Sequence, residues 1–195
     1  MRKIVAVVGD AIVVEGSEKE RLAFEAGKAI IDAGFRLQCG GMNGVMRAAC
    51  RGAHASDKYK EGDVIGILPG FKTECCNEYV DIAIPTGLDL YRNVIVGNAS
   101  AVVAVGGGSG TLTEMAHGWA MGRMICAFGN SDGWAKKLAG ERLDHRIRYE
   151  NIPDDKVYDV RSGEELKALL LERIDLYDTR YRGIPDEVWK WKNKE

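Results

Sequence analysis

The chain has 195 residues, 24 of them glycine and only four proline, on a background that is 46% hydrophobic. A glycine share well above the ordinary ~7% in so apolar a chain excludes low-complexity disorder, and without a Gly-X-Y period it excludes collagen. The formal net charge of -2, from 27 basic and 29 acidic residues, provides no field for nucleic acid or a membrane surface.

Lys3 to Val8 is rich in β-branched residues and stops at Gly9, which reads as a strand buried on both faces rather than a secretion leader. Ser17 and Glu20 form a capping box. The helix they open carries Leu22, Ala26, Ala29, Ile30 and Ala33 at helical spacing and ends at Gly34. Phe35 to Cys39 reads as a second strand closed by Gly40-Gly41, with a helix starting at Val45. Val64 to Leu68 is a third strand, stopped by Pro69-Gly70. Lys72 to Tyr79 is a polar loop, and Val80, Ile82 and Ile84 alternate as a half-exposed strand does.

Leu88 to Asn98 predicts one continuous helix. Ala101 to Val105 is a strand, Gly106 to Gly110 a glycine loop, and Thr111 to Gly122 a helix. Met124 to Phe128 is a further strand. A long loop rich in Gly, Asn and Asp follows, and Ser162 with Glu165 caps a last helix carrying Leu166, Leu169, Leu170 and Ile174. Alternating strands and helices of these lengths imply one α/β domain over 1–177, a Rossmann-like doubly wound parallel sheet with helices on both faces. Residues 178–195, with Tyr181, Trp189 and Trp191 among Lys and Arg, read as a C-terminal extension packing on this or another subunit.

Folds of this class bind ligands at the carboxyl ends of their strands. That edge gathers Gly9-Asp10, Gly40-Gly41-Met42-Asn43-Gly44, Pro69-Gly70 and Gly106-Gly107-Gly108-Ser109-Gly110. The last loop opens a helix, so bare N–H groups and the helix dipole make an anion site, and missing side chains let a phosphate approach. It is neither a P-loop nor the dinucleotide fingerprint. Glu114 follows Thr111 by one turn and leans back toward that site, either as the acid of a capping box or as a functional carboxylate. Arg92 is the cation available to a phosphate or to Glu114, or else half of a surface ion pair. Gly40-Gly41-x-x-Gly44 is a second such turn, able to admit a sugar or base or simply to reverse the chain.

His54, His117 and His145 show no metal spacing. Of the five cysteines, Cys75 and Cys76 are adjacent and no C-x-x-C occurs. Reduced thiols, no metal, no cofactor and a cytoplasmic location are the expectation.

Four stretches together resemble one family. They are Cys39-Gly40-Gly41-Met42-Asn43-Gly44-Val45-Met46, Ile65-Gly66-Ile67-Leu68-Pro69-Gly70, Thr86-Gly87-Leu88-Asp89-Leu90-Tyr91-Arg92-Asn93 and Gly106 to Glu114. The chain resembles the LOG-like (Lonely Guy, "possible lysine decarboxylase") Rossmann proteins over roughly Lys3 to Leu176. Within them it is most similar to an uncharacterised bacterial and archaeal branch related to molybdenum-cofactor carrier proteins. The resemblance implies binding of a nucleoside monophosphate or another phosphorylated small molecule, and a homo-oligomer, usually a dimer, through Leu88 to Asn98 and Thr111 to Gly122.

In LOG proteins the activity is hydrolysis of a nucleoside 5'-monophosphate to base and ribose 5-phosphate. The resemblance makes Arg92 and Glu114 catalytic and gives phosphate or nucleotide contacts to Gly9, Gly40, Gly41, Asn43, Gly107, Gly108, Ser109, Gly110 and Thr111. Asp10 and Asp89 are further acids near this edge. Gly106 stands where the family motif has proline, and Asn93 stands where many LOG proteins have lysine, which removes one positive charge. No lysine here has a pyridoxal-phosphate context. The competing expectation is a non-enzymatic carrier or sensor of a phosphorylated ligand.

Overall fold

The computed structural model describes residues 1–177. Seven parallel strands form one sheet: β1 (Ile4–Gly9), β2 (Arg36–Cys39), β3 (Val64–Leu68), β4 (Ile82–Pro85), β5 (Ala101–Val105), β6 (Met124–Phe128) and β7 (Val157–Val160). Their spatial order is β4-β3-β2-β1-β5-β6-β7. The chain winds outward from β1 to β4, returns across the sheet, and lays β5 on the other side of β1, with Gly9 opposite Val105 as the last pair. The crevice between the carboxyl ends of β1 and β5 is therefore the topological switch point.

Side-chain alternation along β1 sets the two layers. Val5 and Val7 pack with apolar residues of α1 (Glu18–Asp32), α2 (Val45–His54) and α6 (Gly163–Arg173). Ala6 and Val8 pack on the other side with α3 (Asn93–Gly97), α4 (Ser109–Ala120) and α5 (Gly133–Leu138). The central strands are buried on both faces, as their unbroken Val and Ala runs require. Both serine caps form: Ser17 Oγ accepts from Glu20 N at 3.3 Å, and Ser162 Oγ accepts from Glu165 N at 3.2 Å.

The architecture is the expected one, and four local readings change. First, the stretch between β6 and α6 contains α5 and β7, six and four residues long. Elements that short carry too little periodicity to stand out. Second, Leu88 to Asn98 is not one helix. A 3-10 turn covers Asp89–Arg92 and only Asn93–Gly97 is α-helical. Asp89 has φ 49° and its N–H is tied to Pro69 O at 3.0 Å, so the backbone cannot enter the α-helix there.

Third, α4 begins at Ser109, two residues before the glycines would suggest. Fourth, β4 starts at Ile82, not Val80. The extension at 178–195 lies outside the described residues. Among the described residues no helix is long and apolar enough to cross a membrane.

Candidate ligand-binding site

Strand β5 ends in a reversal made by two glycines, Gly106 at φ 64° and Gly107 at φ 95°, a conformation that side-chain-bearing residues rarely adopt. This turn is rigidly held. Gly106 N donates to Ser131 Oγ at 3.0 Å and Gly107 N to Asp10 Oδ2 at 2.9 Å. The carbonyls of Gly106 and Gly107 accept from Ala135 N and Trp134 N at the start of α5, both at 3.0 Å. A side chain on Gly107 would run into Thr111. Gly107 therefore shapes the cradle, while its N–H already serves Asp10.

The open amides lie one step further on. Gly108 is the N-cap of α4 and carries no side-chain cap. The N–H groups of Ser109, Gly110 and Thr111 have no carbonyl to bond within the helix. Gly108 and Ser109 are exposed, and nothing lies within 4 Å of where a Gly108 side chain would stand. These amides present the positive end of a twelve-residue helix at the switch point.

Glu114 lies five residues beyond Ser109, a rise of about 7.5 Å along the helix. It does not cap α4. With Gly108 as N-cap, Thr111 is itself the third helical residue, so the Thr111–Glu114 spacing cannot close a capping box. Glu114 Oε1 instead accepts from Arg92 Nη1 at 3.0 Å, and both side chains are buried, at 9% and 8% exposure. The surface-pair reading of Arg92 is thus replaced by a buried pair.

Arg92 reaches Glu114 because Gly40 has no side chain. A Cβ there would stand 2.5 Å from Arg92 Nη2 and 2.7 Å from Met46 Sδ. Arg92 Nε is buried without a hydrogen-bond partner among the described residues. Burial pushes the Glu114 carboxyl up to about 7, against the lowering pull of the Arg92 charge. A carboxyl there exchanges its proton near neutrality.

The other expected contacts divide. Gly9 is a packing glycine, since a side chain on it would collide with the Val105 carbonyl and the Val45 side chain. Gly41 packs similarly on Leu68 and Gly66. Asn43 is exposed on the same turn, free to face solvent or ligand. Asn93 Nδ2 donates to Thr113 Oγ1 at 2.9 Å, which in turn donates to Gly110 O at 2.7 Å. Where many LOG proteins place a lysine, this chain ties α3 to the first turn of α4. Asp89 is exposed on the 3-10 turn.

Three residues at the edge escaped the sequence: Lys19, Ser131 and Asp132. Lys19 Nζ bridges Asp10 Oδ2 at 2.7 Å and Asp132 Oδ1 at 2.8 Å. No local pattern marks these residues, because strand β1, helix α1 and the loop after β6 meet only in three dimensions. Asn77 was also missed. Its Nδ2 donates to Gly41 O at 3.1 Å and Met42 O at 2.8 Å, latching the 72–79 loop onto the Gly40–Gly44 turn.

Residues 2–157 match the model of the SLOG cluster4 family, which is most of the chain. The chain belongs to the SLOG cluster4 family. Its fold is also that of several solved structures. The X-ray structure of TM1055 is 28% identical at a TM-score of 0.72, over 87% of this chain and 99% of the other. The molybdenum cofactor binding protein of Rippkaea orientalis is 28% identical at 0.70, over 89% and 98%. The molybdenum cofactor carrier protein of Chlamydomonas reinhardtii is 27% identical at 0.67, over 90% and 99%. The family match and these structures bear out the expected LOG-like fold at the level of SLOG cluster4.

Proposed function

We propose that this SLOG cluster4 protein binds and carries a phosphorylated small molecule, with its phosphate on the amides of Ser109, Gly110 and Thr111. The observation that carries this reading is the uncapped, exposed start of α4 at the β1–β5 switch point. Gly108 offers the first amides of the helix no side-chain acceptor, which leaves them to water or to a ligand. The molybdenum-cofactor proteins of the same fold support a carrier role, since they too are proteins of small-molecule cargo by their names.

Mass spectrometry of the small molecules released from the freshly purified full chain tests this. A phosphorus-containing ligand in near-stoichiometric amount is the expected result. A protein that releases none, and binds neither AMP nor inorganic phosphate, would refute the reading.

A second reading rests on Glu114. A carboxyl held near pKa 7 beside an arginine suits acid–base work or stabilisation of a positively charged sugar during N-glycosidic cleavage. On this reading a nucleoside 5'-monophosphate is hydrolysed to base and ribose 5-phosphate, with Arg92 holding the Glu114 carboxylate in place. Free base released from AMP by the wild type and lost in Glu114→Gln would establish it. Absence of release from a panel of monophosphates leaves the carrier function.

For either reading the protein works as a homo-oligomer. Leu88, Leu90, Tyr91 and Ile95 are 45%, 73%, 81% and 41% exposed along the 3-10 turn and α3, an apolar face beside the Arg92 segment. Analytical ultracentrifugation showing a monomer at micromolar concentration would remove this part.

A further inference from the structure

The mouth of the cradle is already occupied by an anion of the protein's own. Asp10 Oδ2 sits on Gly107 N at 2.9 Å and on Lys19 Nζ at 2.7 Å, which are the two contacts a phosphate oxygen would seek at this turn. Lys19 is also shared with Asp132 at 2.8 Å. Gly106 makes room for this group, since a side chain on it would collide with Asp10 Oδ2 and crowd Asp132 and the Lys19 stem. Asp10 and Lys19 are partly exposed, at 28% and 22%, so neither is locked into the core.

The ion pairs at this edge among the described residues set Lys19 and Arg92 against Asp10, Asp132 and Glu114, and Arg92 is committed to Glu114. A phosphate arriving beside Asp10 meets a like charge at close range in a partly desolvated crevice, where Coulomb repulsion is several times stronger than in water.

We propose that Asp10 is a built-in competitor for the phosphate, and that Lys19 is the cation transferred from Asp10 to the ligand when it binds. The inference rests on the phosphate-cradle reading above and adds a specificity-determining pair to it. A phosphate seated on the Ser109–Thr111 amides extends over the adjoining Gly107 turn, where it displaces the Asp10 carboxylate from Gly107 N and Lys19 Nζ. The displaced carboxylate turns toward solvent, which its exposure allows. Ligands with a weakly charged or absent phosphate cannot make this exchange, so Asp10 raises the threshold for entry and favours a doubly charged phosphate over small carboxylates and singly charged anions.

Calorimetric titration of the full chain with AMP, inorganic phosphate and adenosine tests the pair. Asp10→Asn keeps the side chain's shape and removes its charge. It should bind AMP roughly tenfold more tightly than wild type, about 1.4 kcal/mol, with adenosine unchanged. Lys19→Met should weaken AMP by a similar factor, and Lys19→Arg should restore it. Asp10→Ser gives the same sign as Asp10→Asn should the asparagine variant fold poorly.

AMP bound equally or more weakly by both Asp10 variants, while wild type binds it, overturns the competitor role and leaves the cradle reading standing. No binding of AMP or phosphate by any variant overturns the cradle reading, and this inference with it.

Discussion

Two buried arginine–carboxylate pairs touch helix α4, one through Glu114 in its middle and one through Trp119 near its C-terminus, and the two are built differently. In the first pair, Arg92 gives Glu114 one hydrogen bond at 3.0 Å and keeps a buried Nε without a partner among the described residues. In the second, Arg148 grips Asp155 with two, from Nε at 2.8 Å and Nη2 at 2.6 Å. Its Nη1 donates to the carbonyls of Trp119 and Arg123, and its guanidinium lies 3.6 Å from the Trp119 ring centre. Tyr177 O–H completes the shell, donating to Asp155 Oδ1 at 2.8 Å.

The two pairs are equally hidden, at 8% and 9% exposure against 6% and 3%. Burial alone therefore does not distinguish them. The difference is satisfaction: a buried ion pair offsets its desolvation only when the remaining donors and acceptors are also met. The Arg148 network meets them, ties the α4 carbonyl end to the loop before β7, and holds Tyr177, the last described residue. The Arg92 pair leaves a donor unmet beside the Gly40–Gly44 turn, at the edge proposed to take a ligand. The Arg148 pair is thus fully satisfied and the Arg92 pair is not.

The largest effect should come from breaking the satisfied pair. Asp155→Ala leaves the Arg148 charge buried without its carboxylate and should cost about 3–5 kcal/mol, read from the urea midpoint. Ligand binding per folded molecule should be unchanged. A cost near zero would mean that the two pairs do not differ as described.

A smaller and pH-dependent effect is expected at Glu114. Its folded carboxyl is raised to about 7, above the ordinary carboxylate value, so the folded state binds more protons than the unfolded state between about pH 4.5 and 7. Stability contributed by the protonated form is present below that window and is lost as pH rises through it. Glu114→Gln mimics the protonated group. It should match wild type at pH 4.5 and become the more stable protein by pH 8, as read by denaturation at each pH. A variant less stable than wild type at pH 8 would show that the ionised pair stabilises the fold, and would erase the contrast with Arg148.

How much of this was legible in the sequence depends on distance along the chain. The strand-ending glycines, the Ser17 and Ser162 caps and the alternating order of elements are local signals, and they suffice for the sheet, its two layers and its ligand edge. Glu114 was visible as a candidate from the glycine loop one turn before it, and Arg92 as the cation of the preceding segment and of the family motif. Glu114 stood in the sequence as one of two partners for Arg92, but the burial of the pair was not visible, because it depends on Gly40 letting the guanidinium pass.

The Asp10–Lys19–Asp132 group was out of reach for the same reason. Lys19 reads as one charge on the exposed side of α1 until β1, α1 and the loop after β6 are brought together. Helices that begin on glycine are also easy to misplace. The start of α4 shifted by two residues, and with it Thr111 moved from supposed cap to third helical residue.

The central claim, that the first amides of α4 are left open for a phosphate, is tested most directly at Gly108. Its backbone is extended, at φ -96° and ψ -150°, and nothing lies within 4 Å of a side chain placed there. Gly108→Asp would supply the missing N-cap from inside the protein, stabilising α4 by a few tenths of a kcal/mol. The same carboxylate would take the amides meant for the ligand. Calorimetric titration should show at least a tenfold loss of AMP and phosphate affinity in a protein that is no less stable than wild type. Unchanged affinity in Gly108→Asp would contradict the account.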